Sequence, residues 1–171
     1  PSLYIADGHH RAASAVKVGL RRREQNPNYT GDEEFNFFLS VIFPSDELRI
    51  LDYNRVIKDL NGLSDEEFLL ELRHKFDIEK HGKNEYRPKR AHSFGMYMSG
   101  EWYALFAKSE ITKSLDAVKS LDVSILQDNV ISPILGIDDP RTDKRIDFVG
   151  GIRGLSELSR RVDSGEEKLA F

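Results

Sequence analysis

The chain contains no cysteine, which excludes a disulfide framework and any thiolate nucleophile. A cytoplasmic setting is therefore expected. It also lacks an apolar run long enough to span a membrane, and no signal peptide is recognisable, so no membrane partner is expected. An excess of positive charge is missing as well: 25 Lys plus Arg stand against 29 Asp plus Glu, a formal net charge of -4. That balance argues against nucleic acid as the main partner. The basic cluster Arg21-Arg22-Arg23 closes the first predicted helix, where cations complement the carbonyl end of the dipole. Neither HExxH nor paired cysteines occur, and no metal site is predicted.

What is present is enough for an ordinary core: 171 residues with 39% hydrophobic content read as one globular domain over 1–171. Pro1 opens the chain beside its best motif, and Lys168 to Phe171 read as the start of a strand. The chain is thus expected to be a fragment of a larger protein, truncated at both ends.

The pattern is α+β, a mixed sheet with flanking helices. Leu3, Tyr4 and Ile5 suggest a strand end, and Ala12, Ala13, Ala15, Val16 and Leu20 recur at helical spacing. Glu34 to Phe43 alternates with apolar groups on both faces, as a central strand would. Arg49 to Tyr53 suggests a shorter strand and Asn54 to Leu60 a helical segment. Ser64 and Glu67 form a capping box ahead of a stripe of Phe68, Leu69, Leu72 and Phe76. Ser99-Gly100 suits a two-residue hairpin turn that sets Tyr97 opposite Trp102. Leu115, Val118, Leu121, Ile125, Leu126 and Val130 predict one or two helices ending near Pro133. Asp138-Asp139-Pro140 and the charges after it read as a surface loop. Ile146 to Val149, Gly150 to Gly154 and Leu155 to Val162 then give a strand, a glycine-rich connection and a helix.

Chemistry concentrates in Ala6-Asp7-Gly8-His9-His10-Arg11. The first turn of a helix leaves backbone N–H groups without partners and adds partial positive charge, so phosphate fits there. Gly8 permits close approach, His9 and His10 donate hydrogen bonds, and Arg11 presents a planar fork to phosphate oxygens. Four roles are open to Asp7: capping the helix, pairing with Arg11, helping to hold Mg²⁺, or orienting a substrate hydroxyl. Adjacent histidines lie about 100° apart on a helix, which disfavours a shared metal. Arg153, in the glycine-rich connection, offers a second phosphate contact, although that connection is neither GxGxxG nor a P-loop.

The Ala-Asp-Gly-His-His-Arg run resembles the bacterial and archaeal domain of unknown function 1015 family, and Leu51 to Lys58, Leu121 to Leu126 and Pro133 to Ile137 agree with it. More distantly, Asp7 to Arg11 are similar to the phosphate box of the ParB and sulfiredoxin superfamily, which includes free-serine kinases. Sulfiredoxins carry a catalytic Cys where this chain has His9, so their thiol chemistry is excluded. For the serine kinases the resemblance implies an acidic base upstream of the box.

Two functions are expected from these residues. In the first, Gly8, His9, His10, Arg11 and Arg153 bind the phosphates of ATP or ADP with Mg²⁺, Asp7 orients metal or substrate, and His9 or His10 stabilises charge or exchanges a proton. A small hydroxyl metabolite such as serine is then phosphorylated, although the fragment alone is expected to be inactive. In the second, the box is a non-catalytic regulatory module for a nucleotide or phosphometabolite. No tightly bound cofactor is predicted, and the pattern specifies no oligomeric state.

Overall fold

The hairpin that the sequence marks most clearly lies within the sheet of the computed structural model, which describes residues 2–114 and 116–171. The chain divides into two compact units, residues 1–49 and 50–171. In the second unit, the strands are β1 (Tyr53–Ile57), β2 (Phe76–Gly82), β3 (Ser93–Met98), β4 (Glu101–Ala107), β5 (Ile146–Gly150) and β6 (Leu169–Ala170). They form one sheet in the order β2-β4-β3-β6-β1-β5. Every pairing is antiparallel, which corrects the expected mixed sheet.

Ser99 and Gly100 both take left-handed backbone conformations, the geometry that matches a tight turn to the twist of its strands. Tyr97 consequently faces Trp102, their ring centroids 5.1 Å apart. Period-two alternation sends Ile57, Phe94, Met96, Met98 and Leu105 to one face and Val56, Tyr97, Trp102 and Val149 to the other.

Among the described residues the α-helices are α1 (His9–Gln25), α2 (Asp65–Arg73), α3 (Ser109–Thr112), α4 (Asp122–Leu126) and α5 (Ser156–Asp163). Phe68 and Leu72 of α2, with Ile125 and Leu126 of α4, cover the first face of the sheet, and Leu158 of α5 covers the second. The reciprocal capping box of Ser64 and Glu67 starts α2 as expected. Phe76 is buried in the same core but belongs to β2 rather than to the helix. A π-turn, Gln127–Ile131, follows α4 and stops before Pro133. Ile125, Leu126 and Val130 are buried, whereas Val118 and Leu121 are exposed; Leu115 lies outside the described residues. Strand β5, the connection and α5 fall where the sequence placed them.

Other expectations are corrected. Arg49 to Leu60 does not form a strand followed by a helix: the strand is Tyr53–Ile57, held between β5 and β6. In the first unit, Glu34 to Phe43 is not a central strand. Glu34–Asn36 is a single 3₁₀ turn, and Leu39 is 94% exposed. Leu3 to Ile5 likewise form no strand, and all three are exposed. Alternation supplies a preference, but a strand also needs a neighbour for its backbone groups, and among the described residues the first unit contains none.

The first unit is held at the end of α1. Gly19 packs on the Phe35 carbonyl, a Cβ there standing 3.0 Å from its oxygen. Arg23 Nε donates to Asn36 Oδ1 at 2.8 Å. The Glu33 carboxylate accepts from the Thr30 and Gly31 amides, bonds that pull its pKa down to about 2.

Candidate functional site

Asp7 to Arg11 lie together at the beginning of α1. Gly8, not Asp7, is the N-cap: it adopts φ 78° and ψ 24°, and its carbonyl accepts the Ala12 amide at 2.9 Å. This corrects the capping role considered for Asp7. Glycine suits the position because a left-handed cap penalises a Cβ. Asp7, one residue earlier, instead accepts from Arg11 Nη2 at 3.4 Å, with the two side chains 94% and 83% exposed.

The same pairing folds Arg11 back over Gly8. A Cβ on Gly8 would stand 3.2 Å from Arg11 Nη2 and 3.3 Å from Nε. A guanidinium therefore sits beside the N-terminal end of α1. No side chain caps that end, and the first turn contains no acidic residue. The His9, His10 and Arg11 amides occupy positions whose N–H groups have no intrahelical acceptor. His9 and His10 are exposed beside them. The chemistry on offer is anion binding by amides, a guanidinium and two imidazoles, with one carboxylate at the edge. At the other end of α1, Arg22 and Arg23 occupy the last turn, as their dipole preference predicts. Among the described residues no group of three or more His, Asp or Glu side chains is disposed to hold a metal ion.

Arg153 belongs to the second unit. It is exposed, at the end of the 3₁₀ turn Gly151–Arg153, where its charge helps to lower the pKa of Glu157 after the larger effect of Arg160. Of the glycines around it, Gly151 answers a packing demand. The Gly151 amide donates to the Asp52 carbonyl at 2.7 Å, and a Cβ on Gly151 would lie 2.6 Å from that oxygen. Gly151→Ala is accordingly expected to destabilise the second unit by about 1–3 kcal/mol, through overpacking against main chain. Urea unfolding at matched m-value measures the loss.

A cleft in the second unit was missed in the sequence. It has a volume of about 520 Å³ and is lined by Asn54, Arg55, Tyr86, Arg90 and Trp102, among others. Asn54 and Arg55 are polar residues inside a strand, and that interruption was the available signal. Arg55 stacks over Phe148 at 5.6 Å, and burial lowers its pKa. On the same sheet, Tyr97 donates to both Asp163 carboxylate oxygens at 2.9 and 3.0 Å. Burial first, then Asp163, pushes its pKa up to about 12.

The family described as Protein of unknown function (DUF1015) matches residues 1–124. The chain belongs to the DUF1015 family. The match takes in the whole first unit, with the Asp7–Arg11 box, and the second unit as far as Ser124 within α4. The Pro133 to Ile137 segment of this DUF1015 chain lies beyond the matched residues. No curated protein and no solved structure matches the chain. Among the described residues no helix is long and apolar enough to cross a membrane.

Proposed function

We propose that Gly8, His9, His10 and Arg11 bind the phosphate groups of a nucleotide or phosphometabolite. The observation that supports this reading is the start of α1, which has no side-chain cap and whose left-handed N-cap Gly8 lies under the Arg11 guanidinium. Amides there present hydrogen to an anion at no conformational cost, and a guanidinium supplies charge and a bidentate fork. The likeness to the ParB and sulfiredoxin box, including its free-serine kinases, favours ATP or ADP. Mg²⁺ suits such a site because Asp7 offers a hard oxygen ligand next to the phosphates. When bound, the metal neutralises phosphate charge.

In the catalytic form of the proposal, Asp7 leaves Arg11 to orient the metal or a small hydroxyl substrate such as serine, and His9 or His10 steadies the transferring phosphoryl group. The Asp7–Arg11 pair favours a second reading, in which binding itself is the function and the protein is a cytoplasmic regulatory module. An exposed pair of this kind is worth under about 1 kcal/mol, so a ligand displaces it readily.

The test is a thermal-shift and calorimetric series with ATP, ADP and inorganic phosphate, with and without Mg²⁺. Ligand at about 100 times its Kd should stabilise the first unit by roughly 2.7 kcal/mol, and Arg11→Ala should weaken binding about tenfold or more. No stabilisation by any of the three would sink the proposal. Turnover of serine or another small alcohol, followed as ATP- or ADP-dependent phosphorylation, then separates the readings: binding without turnover leaves the regulatory module.

A further inference from the structure

In the first unit, the segment after the 3₁₀ turn exposes apolar surface in a continuous run. Phe37, Phe38, Leu39, Val41, Ile42 and Phe43 are each between 56% and 94% exposed, and Ser40 in their midst is the run's one polar residue. The main chain is open as well: Phe37 is extended, and among the described residues no backbone hydrogen bond involves Phe38 to Phe43. The unit has no core of its own to receive these side chains, since Gly19 is its one buried residue among those described. An uncharged run with unpaired N–H and C=O groups is a template for another strand.

The order of side chains identifies which strand. About Ser40 the run is close to a palindrome. Two copies laid antiparallel about that residue set Phe37 against Phe43, Phe38 against Ile42, Leu39 against Val41, and Ser40 against its own counterpart. Directly opposite residues share a face in antiparallel pairing. Every apolar side chain therefore meets an apolar one, and the run holds no charge to repel its copy. The same register aligns the two stops: Asn36, the last residue of the 3₁₀ turn, falls opposite Pro44, which has no N–H to continue a ladder. Any other register within the run sets Ser40 against an apolar residue and leaves an end unpaired.

We propose that Phe37 to Phe43 is an interface with a second copy of this chain, the two copies pairing antiparallel about Ser40. Such a contact is isologous: the same residues serve both copies, and a two-fold axis passes between the two Ser40 residues. Main-chain bonds between the strands supply affinity, as in other strand additions. The matched side chains supply the register. The interface makes no use of the Asp7–Arg11 box and stands apart from the phosphate reading.

The test acts on Ser40, which is exposed and makes no bond whose loss would disturb the single copy. Sedimentation equilibrium of the 171-residue chain is expected to show a monomer in exchange with a dimer. Ser40→Lys and Ser40→Glu each bring like charges face to face and should weaken dimerisation about tenfold or more at low salt, whereas an equimolar mixture of the two should recover it as a heterodimer. In the unsubstituted chain, amide exchange over Phe37 to Phe43 should slow as concentration rises. A monomer at every concentration would overturn the proposal, as would a dimer indifferent to both substitutions. Protection of these amides that did not change with concentration would overturn it too, by showing that the chain covers the run itself.

Discussion

Replacing Arg161 by alanine is expected to cost about 3–5 kcal/mol, because it removes one partner of a buried ion pair and leaves the other behind. Glu167 is 4% exposed. Its carboxylate accepts Arg161 Nη2 at 2.7 Å, while Arg161 Nη1 reaches Asp147 at 2.9 Å and ties α5 to β5. Burial raises the Glu167 pKa and Arg161 opposes that rise, so removing the guanidinium lets the carboxyl titrate at still higher pH. A carboxyl whose folded pKa lies above its unfolded value contributes stability below the unfolded pKa, and loses it as pH rises through the folded pKa. The deficit of Arg161→Ala should therefore be largest near neutrality and shrink on acidification into the carboxyl range. Denaturant unfolding at a series of pH values measures both effects. A deficit that did not depend on pH would assign the loss to packing alone.

Trp102→Ala is expected to cost about 3–5 kcal/mol as well, by a different route. Its indole is 2% exposed, packed with Tyr97, Val56, Val149 and Leu158 in the smaller of the two core clusters. That cluster has few members, and α5 contributes Leu158 to it as its one fully buried residue. Removing the ring leaves a cavity beside the cleft and takes a partner from the cluster that holds α5 through Leu158 and Val162. Hydrogen exchange in α5 should rise more than exchange in α2, which rests on the larger cluster. Equal loss of protection in α2 and α5 would show that the two faces of the sheet unfold as one.

Local chemistry made the second unit partly readable. Ser64 and Glu67 cap α2 through bonds spanning three residues, and the β3–β4 hairpin is set by its own turn, so neither needs distant information. Strand β2 escaped because Asp77, Glu79, Lys80 and His81 leave it few apolar positions. It is an edge strand bonded to β4 alone, and one buried face at one end is enough to hold it. Strand β1 was misplaced because Asn54 and Arg55 break its apolar pattern where they line the cleft. Glu34 to Phe43 failed in the opposite sense: its alternation is strong, but pairing is non-local, and the first unit provides no strand beside it among the described residues.

The helix start at the His-His box was legible, since Gly8 and the small residues after it form a recognisable junction. Its cap was not. Choosing Gly8 over Asp7 depends on a positive φ, and residue types alone do not decide between a side-chain cap and a glycine cap. The consequence is favourable to an anion, because a carboxylate at the cap would occupy the N–H groups that a phosphate needs.

The most direct measurement is a titration of ¹⁵N-labelled protein with ADP, ATP and inorganic phosphate, following backbone amides. The account predicts saturable shifts concentrated at Gly8, His9, His10 and Arg11, weakened about tenfold or more in Arg11→Ala. Saturable shifts confined to other amides, or no shifts with any of the three ligands, would contradict it.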